Sequence, residues 1–510
     1  MTIATRPTSR ATQGWVLPLS VLIVGSFMSV LDTSIVNVAV PKIQIELSAA
    51  PDDVEWIVTG YTLALGIVVP LTGWLGMRIG QTRLYILSMV GFAAASALCG
   101  MAWNLDTMIV FRVIQAIPGG ILPVVTMTML YQIVPREKIG AAMGIYGLGV
   151  VVAPAVGPTL GGYLVEYIDW RLIFYINVPI GILGTIAAVV VFPRIAPTSW
   201  PKFDFWGFIT IAYGLFAMLL AFSEGQNWGW TGYRILALFI SGALSLALFV
   251  IVELEVANPL IDLRIFKVPA YGLSLVLLGV AMTGLFTTLY FIPQYLQNIQ
   301  GLQALDAGLV LVPSAIVLVV LMPFAGRIYD MIGPRVPVAL GLAVMAYGSY
   351  LLAGLTPDTP RADIELWTAV RNVGTGLAMM PMITAGVSAL PARLTSSGSG
   401  MNNVMQRVAS SVAVAVFGSL NATASAQMMS DRGSLLSTGA QALPAVSAAS
   451  EKGAPGLLGM YQQLSASVTT QTYDNGFYIV ALMSAGGAVL ALMLRSGKPK
   501  SAGGPVHVEV

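Results

Sequence analysis

Charge is what this sequence has least of. Only 9% of its 510 residues are Asp, Glu, Lys or Arg, against roughly 25% in an ordinary soluble domain. Histidine occurs once, as His507, and cysteine once, as Cys99. A lone cysteine excludes an intrachain disulfide and a thiolate metal site. A histidine found only in the polar tail excludes a histidine proton relay or metal centre among the apolar segments. Titratable chemistry there has to use carboxylates. No basic cluster accompanies the net charge of +2, so nothing suggests a nucleic-acid partner. No G-x-S-x-G motif occurs, and one isolated buried acid cannot form a catalytic carboxylate pair, so an intramembrane enzyme is the weakest reading. A non-transporting sensor or scaffold is a further rival, and absence of flux in sealed vesicles would be its support.

What is present is apolar. Hydrophobic residues make up 56% of the chain and the mean hydropathy is +0.82, so the expected class is an all-α polytopic membrane protein. A spanning helix needs about 20 mostly apolar residues. Fourteen windows qualify: 15–40, 53–76, 83–102, 107–132, 139–165, 171–193, 204–223, 233–252, 270–292, 306–328, 336–355, 363–389, 399–424 and 474–495. The first follows Arg6 and Arg10 as a signal peptide would, but it is too long for a signal core and reads as a retained span. An even count puts both termini on one face. That face would carry sixteen of the 25 Lys and Arg residues, among them Arg78, Arg83, Arg136, Arg327 and Arg335. The positive-inside rule makes it cytoplasmic. The Ser/Ala/Gly-rich stretch 425–472 reads as an extracytoplasmic loop, with a short amphipathic piece near Leu457–Leu464 as the alternative.

The chain repeats itself. Gly73-Trp-Leu-Gly-Met-Arg78-Ile-Gly80 recurs as Gly326-Arg-Ile-Tyr-Asp330-Met-Ile-Gly333, and Arg112 recurs as Arg371. The expected organisation is a tail (1–14), a six-helix bundle (15–193), an inserted helix pair (204–253), a second six-helix bundle (270–495) and a tail (496–510), in short 6+2+6. Parallel halves of this kind place a substrate site at their interface near the midplane.

One acid interrupts the first window: Asp32, in SFMSVLDTSIVNVAVP. A charge at the bilayer centre costs about 2.5 kcal/mol or more, which makes such a residue a functional candidate. Desolvation favours the neutral form of a carboxyl, so an acid exposed alternately to two faces can load and release a proton. It can equally pair with a cationic substrate, or simply orient helices. Arg112 lies in the fourth window and rarely deprotonates. It either holds the first span, lowers the proton affinity of Asp32, or snorkels to the interface.

The fifth window, GIYGLGVVVAPAVGPTLGG, is dense in glycine, which permits close helix contact, and holds Pro154 and Pro158, which bend helices. Together with Gly157 these predict a kinked gate without catalytic groups. The loop residues Gly73, Arg78, Gly80, Asp330 and Arg335 read either as topology signals or as an inner-gate latch between neighbouring helices. Polarity for a substrate cavity would come from Thr33, Asn37, Tyr61, Gln115, Tyr290, Gln294, Asn402 and Asn403. A wall otherwise of Met, aromatic and aliphatic residues favours amphipathic substrates over sugars.

At these residues the chain resembles the major facilitator superfamily, specifically its fourteen-helix, EmrB-like drug:proton antiporter branch. Leu31 to Pro41 is similar to that branch's first-span signature, whose acid is implicated in proton coupling. Arg112 with Gln115 and Gly119 looks like its fourth-span arginine motif, and Gly149 to Gly162 like its fifth-span antiporter motif. Trp170, Arg171, Phe174, Asn177 and Pro179 follow the pattern that opens its sixth span. The chain departs from the family at Met77, where an acid is usual, at Gln81 and Thr82, which replace a basic pair, and at Ala116 and Pro118, where glycines are usual. The resemblance implies a major-facilitator fold and proton-driven export of amphipathic, often cationic, compounds across a bacterial inner membrane. It implies no cofactor beyond the proton gradient, lipid surroundings and a monomer, an accessory export partner being left open. The alternative is export of an endogenous envelope lipid or metabolite.

Overall fold

The computed structural model describes residues 14–193, 202–257, 259–439 and 453–494, and there the chain is almost entirely α-helical. Hydrocarbon offers no water to free amides and carbonyls, so each apolar segment must satisfy its own backbone. The first half comprises α1 (Val16–Glu46), α2 (Pro51–Val54), α3 (Trp56–Val68), α4 (Leu71–Ile79), α5 (Gln81–Gly100), α6 (Leu105–Ile133), α7 (Ile139–Tyr167), α8 (Leu172–Tyr175) and α9 (Asn177–Val191). A helix pair follows, α10 (Phe205–Trp228) and α11 (Tyr233–Glu255). The second half comprises α12 (Pro269–Asn298), α13 (Ala304–Ile332), α14 (Arg335–Leu352), α15 (Arg361–Ser388), α16 (Thr395–Gly439) and α17 (Gly453–Ala491).

Local chemistry sets several boundaries. Asn104 Oδ1 accepts from the Thr107 amide at 2.8 Å, and the Thr107 hydroxyl lies 3.3 Å from the Asn104 amide, a reciprocal cap that starts α6. The two copies of the loop motif end alike: α4 stops at Gly80 with φ 87° and α13 at Gly333 with φ 84°. Only glycine takes that conformation without strain, and it allows the sharp turn into α5 and α14. Between α3 and α4 the axis bends by 57° where Pro70 opens the second segment, as a proline that cannot donate its amide requires.

All fourteen apolar windows fall on helix. Among the described residues, ten helices are long and apolar enough to cross a membrane, or eleven with the bent α3–α4 pair counted as one span. α7 contributes a shorter apolar stretch, Ile139–Val150, while α15 and α16 carry more polar residues. The reading of 425–472 as a loop is corrected: the chain is helical over 425–439 and again over 453–472. Small polar residues suggested a loop, yet Ala, Met and Gln in these segments are good helix formers. Residues 440–452 and the two tails, with His507, lie outside the described residues.

Within the first half α1 packs on α6, α7 and α9, and α3 on α6; in the second, α14 packs on α15 and α17, and α12 on α15, α16 and α17. The halves meet in one apolar cluster, where Met127, Leu130, Ile139 and Met143 face Met282, Met322, Met379 and Met380. Unbranched, polarisable Met side chains suit a surface that repacks. α10 touches both halves, lying against α3 and α16, with Leu219 beside Leu63. α11 instead turns Ile240, Leu244, Leu248 and Leu254 outward. Apolar surface of that extent on a monomer marks a membrane-facing side.

Candidate functional site

Asp32 sits on the face of α1 that meets α5, α6 and α9, and no part of it is exposed. Its Oδ2 accepts from Arg112 Nη1 at 2.5 Å. Its Oδ1 accepts from Gln115 Nε2 at 2.9 Å and from Asn177 Nδ2 at 3.1 Å. Arg112 and Gln115 lie three residues apart on α6, hence on one face, and Arg112 Nη1 also donates to Gln115 Oε1 at 2.6 Å. Ser96, on α5, accepts from Gln115 and Asn177, both at 3.1 Å, and donates to the Phe174 carbonyl at 2.9 Å. The guanidinium lies 3.8 Å from the centre of the Tyr61 ring and 5.6 Å from that of Phe174, a cation–π arrangement away from water. Arg112 is therefore not snorkelling; it is the counter-ion of Asp32.

The helix that carries the acid is held close. A Cβ at Gly157 would lie 2.5 Å from Ser34 Oγ, and one at Gly161 would lie 2.8 Å from an Ile35 side-chain carbon. Only bare backbone allows α7 to approach α1 so nearly beside Asp32. α7 runs as one helix through Pro154 and Pro158; their side chains lie outside the described residues. On the other side of α1, Ser29 Oγ donates to the Gly119 carbonyl at 2.9 Å.

At the arginine-rich end the two halves are joined. Asp330, at the end of α13, accepts from the Gly140 and Ala141 amides of α7, both at 3.0 Å. A carboxylate on a helix N-terminus satisfies otherwise free amides and opposes the positive end of the dipole. Where the sequence suggested a contact between neighbouring helices, Asp330 instead bridges the two halves. Beneath it the backbones nearly touch: a Cβ at Gly326 would lie 2.0 Å from the Gly140 carbonyl oxygen, and one at Gly144 2.6 Å from that of Met322. From Gly149 onward the close contacts of α7 pass instead to Ile23, Ser34 and Ile35 of α1. The first copy of the motif closes differently. Gly73 approaches Ser396 at the start of α16, where a Cβ would lie 3.3 Å from Oγ, and Arg78 lies 5.0 Å from the Trp74 ring on its own helix. Arg335 opens α14, partly exposed.

The expected cavity residues do not assemble into one set. Tyr61 and Gln115 join the Asp32 cluster, Tyr61 by its ring. Thr33 bonds back to the Ser29 carbonyl at 3.2 Å and Asn403 to that of Ser399 at 3.0 Å, each within its own helix. Asn402 accepts from the Tyr271 hydroxyl at 3.2 Å, bracing α16 against α12. Asn37 is exposed. Tyr290, half-buried, packs on Phe291 at 5.7 Å between ring centres, and Gln294 is half-buried one turn further on. Sequence reasoning missed Ser96, and also Cys99, whose thiol lies 3.5 Å from Gln115 Oε1. It gave Asn177 no role in the site. It also gave no role to Arg407 of α16, whose Nε is enclosed and, among the described residues, without a partner. That last residue was legible as a rare charge in an apolar stretch.

A buried acid–arginine pair thus lies in one of two repeated helical bundles of a multi-pass membrane protein, above a closed interface between them. The chain belongs to the Major Facilitator Superfamily, whose profile matches residues 22–414. It is similar to the uncharacterized MFS-type transporter YhcA of Bacillus subtilis, 38% identical over 78% of this chain and 75% of that one. It is also similar to the lincomycin resistance protein LmrB of Listeria monocytogenes, 30% identical over 77% and 84% of the two chains. Its fold matches that of the proton:xylose symporter XylE with a TM-score of 0.64 at 12% identity, covering 96% of this chain and 98% of that one.

Proposed function

We propose that the protein is a proton-coupled exporter of amphipathic compounds, working by alternating access across a bacterial cytoplasmic membrane with fourteen spans and both termini inside. The observation that carries the reading is the completely buried Asp32, engaged by Arg112, Gln115 and Asn177. Protonating the carboxyl removes the negative charge that compensates Arg112, and the low-dielectric surroundings make that imbalance costly. The bond from Arg112 then weakens, α1 and α6 are free to shift relative to each other, and a change in proton occupancy becomes a change in conformation. The closed arginine-rich end, with Asp330 on α7, corresponds in this scheme to an outward-facing state. The likeness to a lincomycin resistance protein, LmrB, supports the direction of transport.

The charge arrangement alters one expectation. Asp32 is already neutralised by Arg112, so neutral amphiphiles fit this state better than cations. The test is transport in proteoliposomes under an imposed pH gradient, across cationic, neutral and lipidic compounds. Wild-type protein should accumulate substrate against its gradient and Asp32→Asn should not. Driven accumulation by Asp32→Asn would reject proton coupling through this residue, and transport of lipid alone would favour the envelope-lipid alternative.

A further inference from the structure

A buried acid that exchanges a proton has to be satisfied twice, once as an acceptor of hydrogen bonds and once as a donor. Among the described residues, every side chain bonded to the Asp32 carboxyl donates to it: Arg112 to Oδ2, Gln115 and Asn177 to Oδ1. That set suits the carboxylate. Once protonated, the group presents an O–H, and an enclosed donor left unpaired is costly.

The three neighbours differ in what they hold in reserve. Arg112 has no acceptor, because guanidinium carries only N–H donors. Gln115 has one, but its Oε1 already accepts from Arg112 Nη1 at 2.6 Å and faces the Cys99 thiol at 3.5 Å. Asn177 is wholly buried, and among the described residues nothing bonds to its enclosed Oδ1. Its amide meets the site by the NH2 group, which donates to Asp32 Oδ1 and to Ser96 Oγ, both at 3.1 Å. The oxygen behind it is idle. A half-turn of the amide exchanges the two ends within nearly the same volume, since oxygen and NH2 differ little in size, and it turns a donor into an acceptor.

We propose that Asn177 is a positioning residue that serves both protonation states of Asp32. Its amide donates to the carboxylate, and when a proton arrives from solution it turns over, so that Oδ1 accepts from the new O–H. The Ser96 hydroxyl then swings from the Phe174 carbonyl, to which it donates at 2.9 Å, to the same oxygen. The inference rests on the reading of Asp32 as the group that exchanges the proton. The test is the infrared difference spectrum of purified full-length protein between acid and alkaline buffer, with asparagine labelled by carbon-13 at the side-chain carbonyl. A carboxylic acid band should appear in acid. With it, one labelled amide band should move to lower frequency, as an unbonded carbonyl does on accepting a hydrogen bond. Asn177→Leu should lose the amide shift and keep the acid band. Asp32→Asn should lose both, and it decides the matter should Asn177→Leu fail to fold. An acid band that Asp32→Asn removes, without any amide shift, would overturn the role of Asn177 and leave proton exchange at Asp32 standing. An amide shift that survives in either variant would also overturn it. A wild type with no acid band would overturn the reading of Asp32 and this inference with it.

Discussion

Two arginines at repeated positions lead different lives. Arg112 meets a carboxylate, an amide side chain and an aromatic face, while Arg371 meets one distant amide oxygen and a glycine. The scaffold around them is shared: each is on the fourth helix of its bundle, buried among close-packed apolar helices. The difference therefore lies in what α1 and α12 offer. An internal acid makes the first half sensitive to protons, because a proton is the smallest thing that can cancel its charge. A glycine gives the second half no such charge for a proton to cancel. The same asymmetry appears at the loop motif, where the second copy has Asp330 and the first has Met77.

The largest expected effect lies at the paired arginine. Arg112→Ala leaves Asp32 buried without a cation, which should cost about 3–5 kcal/mol, read as thermal unfolding of the purified protein. The double variant Asp32→Asn/Arg112→Gln should recover most of that loss while transport stays uncoupled from the pH gradient. Arg371→Gln should be neutral or stabilising, since it removes a charge that no described carboxylate compensates. Equal losses at the two arginines would break the comparison.

Next comes the closed end. Gly326→Val places atoms where the Gly140 carbonyl stands and should prevent closure, abolishing transport and making a cysteine introduced at Ala141 reactive from solution. Gly73→Ala, whose nearest neighbour is the Ser396 hydroxyl at 3.3 Å, should be mild. A smaller effect is expected for Asp330→Asn. Loss of charge-assisted bonds to two amides is worth about 1–3 kcal/mol, enough to shift the closed population roughly tenfold, as measured by spin-label distances between α7 and α13. Met77→Ala should leave those distances unchanged.

The smallest effect sharpens the role of the aromatic wall. Among the described residues the Tyr61 hydroxyl makes no hydrogen bond, whereas its ring covers Arg112. Tyr61→Phe should change stability by less than about 0.5 kcal/mol, and Tyr61→Ala should impair coupling. Initial transport rates for both variants settle the order.

Much of the fold was legible because hydrocarbon admits so few solutions: apolar windows became helices, and the repeated glycines became the turns at Gly80 and Gly333. Asp32 and Arg112 stood out because charge is rare here. Their pairing was not legible, since it depends on helices 80 residues apart in sequence meeting at one depth. The supporting polar residues were hidden for another reason. Ser, Thr and Asn in helices commonly bond their own backbone, as Thr33 and Asn403 do, and nothing in the sequence separates those from Ser96, which turns to the site. The stretch 425–472 misled because its composition suits loops and helices alike.

The central claim is that Asp32 itself exchanges the coupling proton. The direct measurement is the pH change on adding a transported substrate to purified protein in weakly buffered detergent solution. The wild type should exchange up to about one proton per transporter, with an amplitude that varies with starting pH, and Asp32→Asn, still binding substrate, should exchange none. An unchanged proton signal in Asp32→Asn would contradict the account.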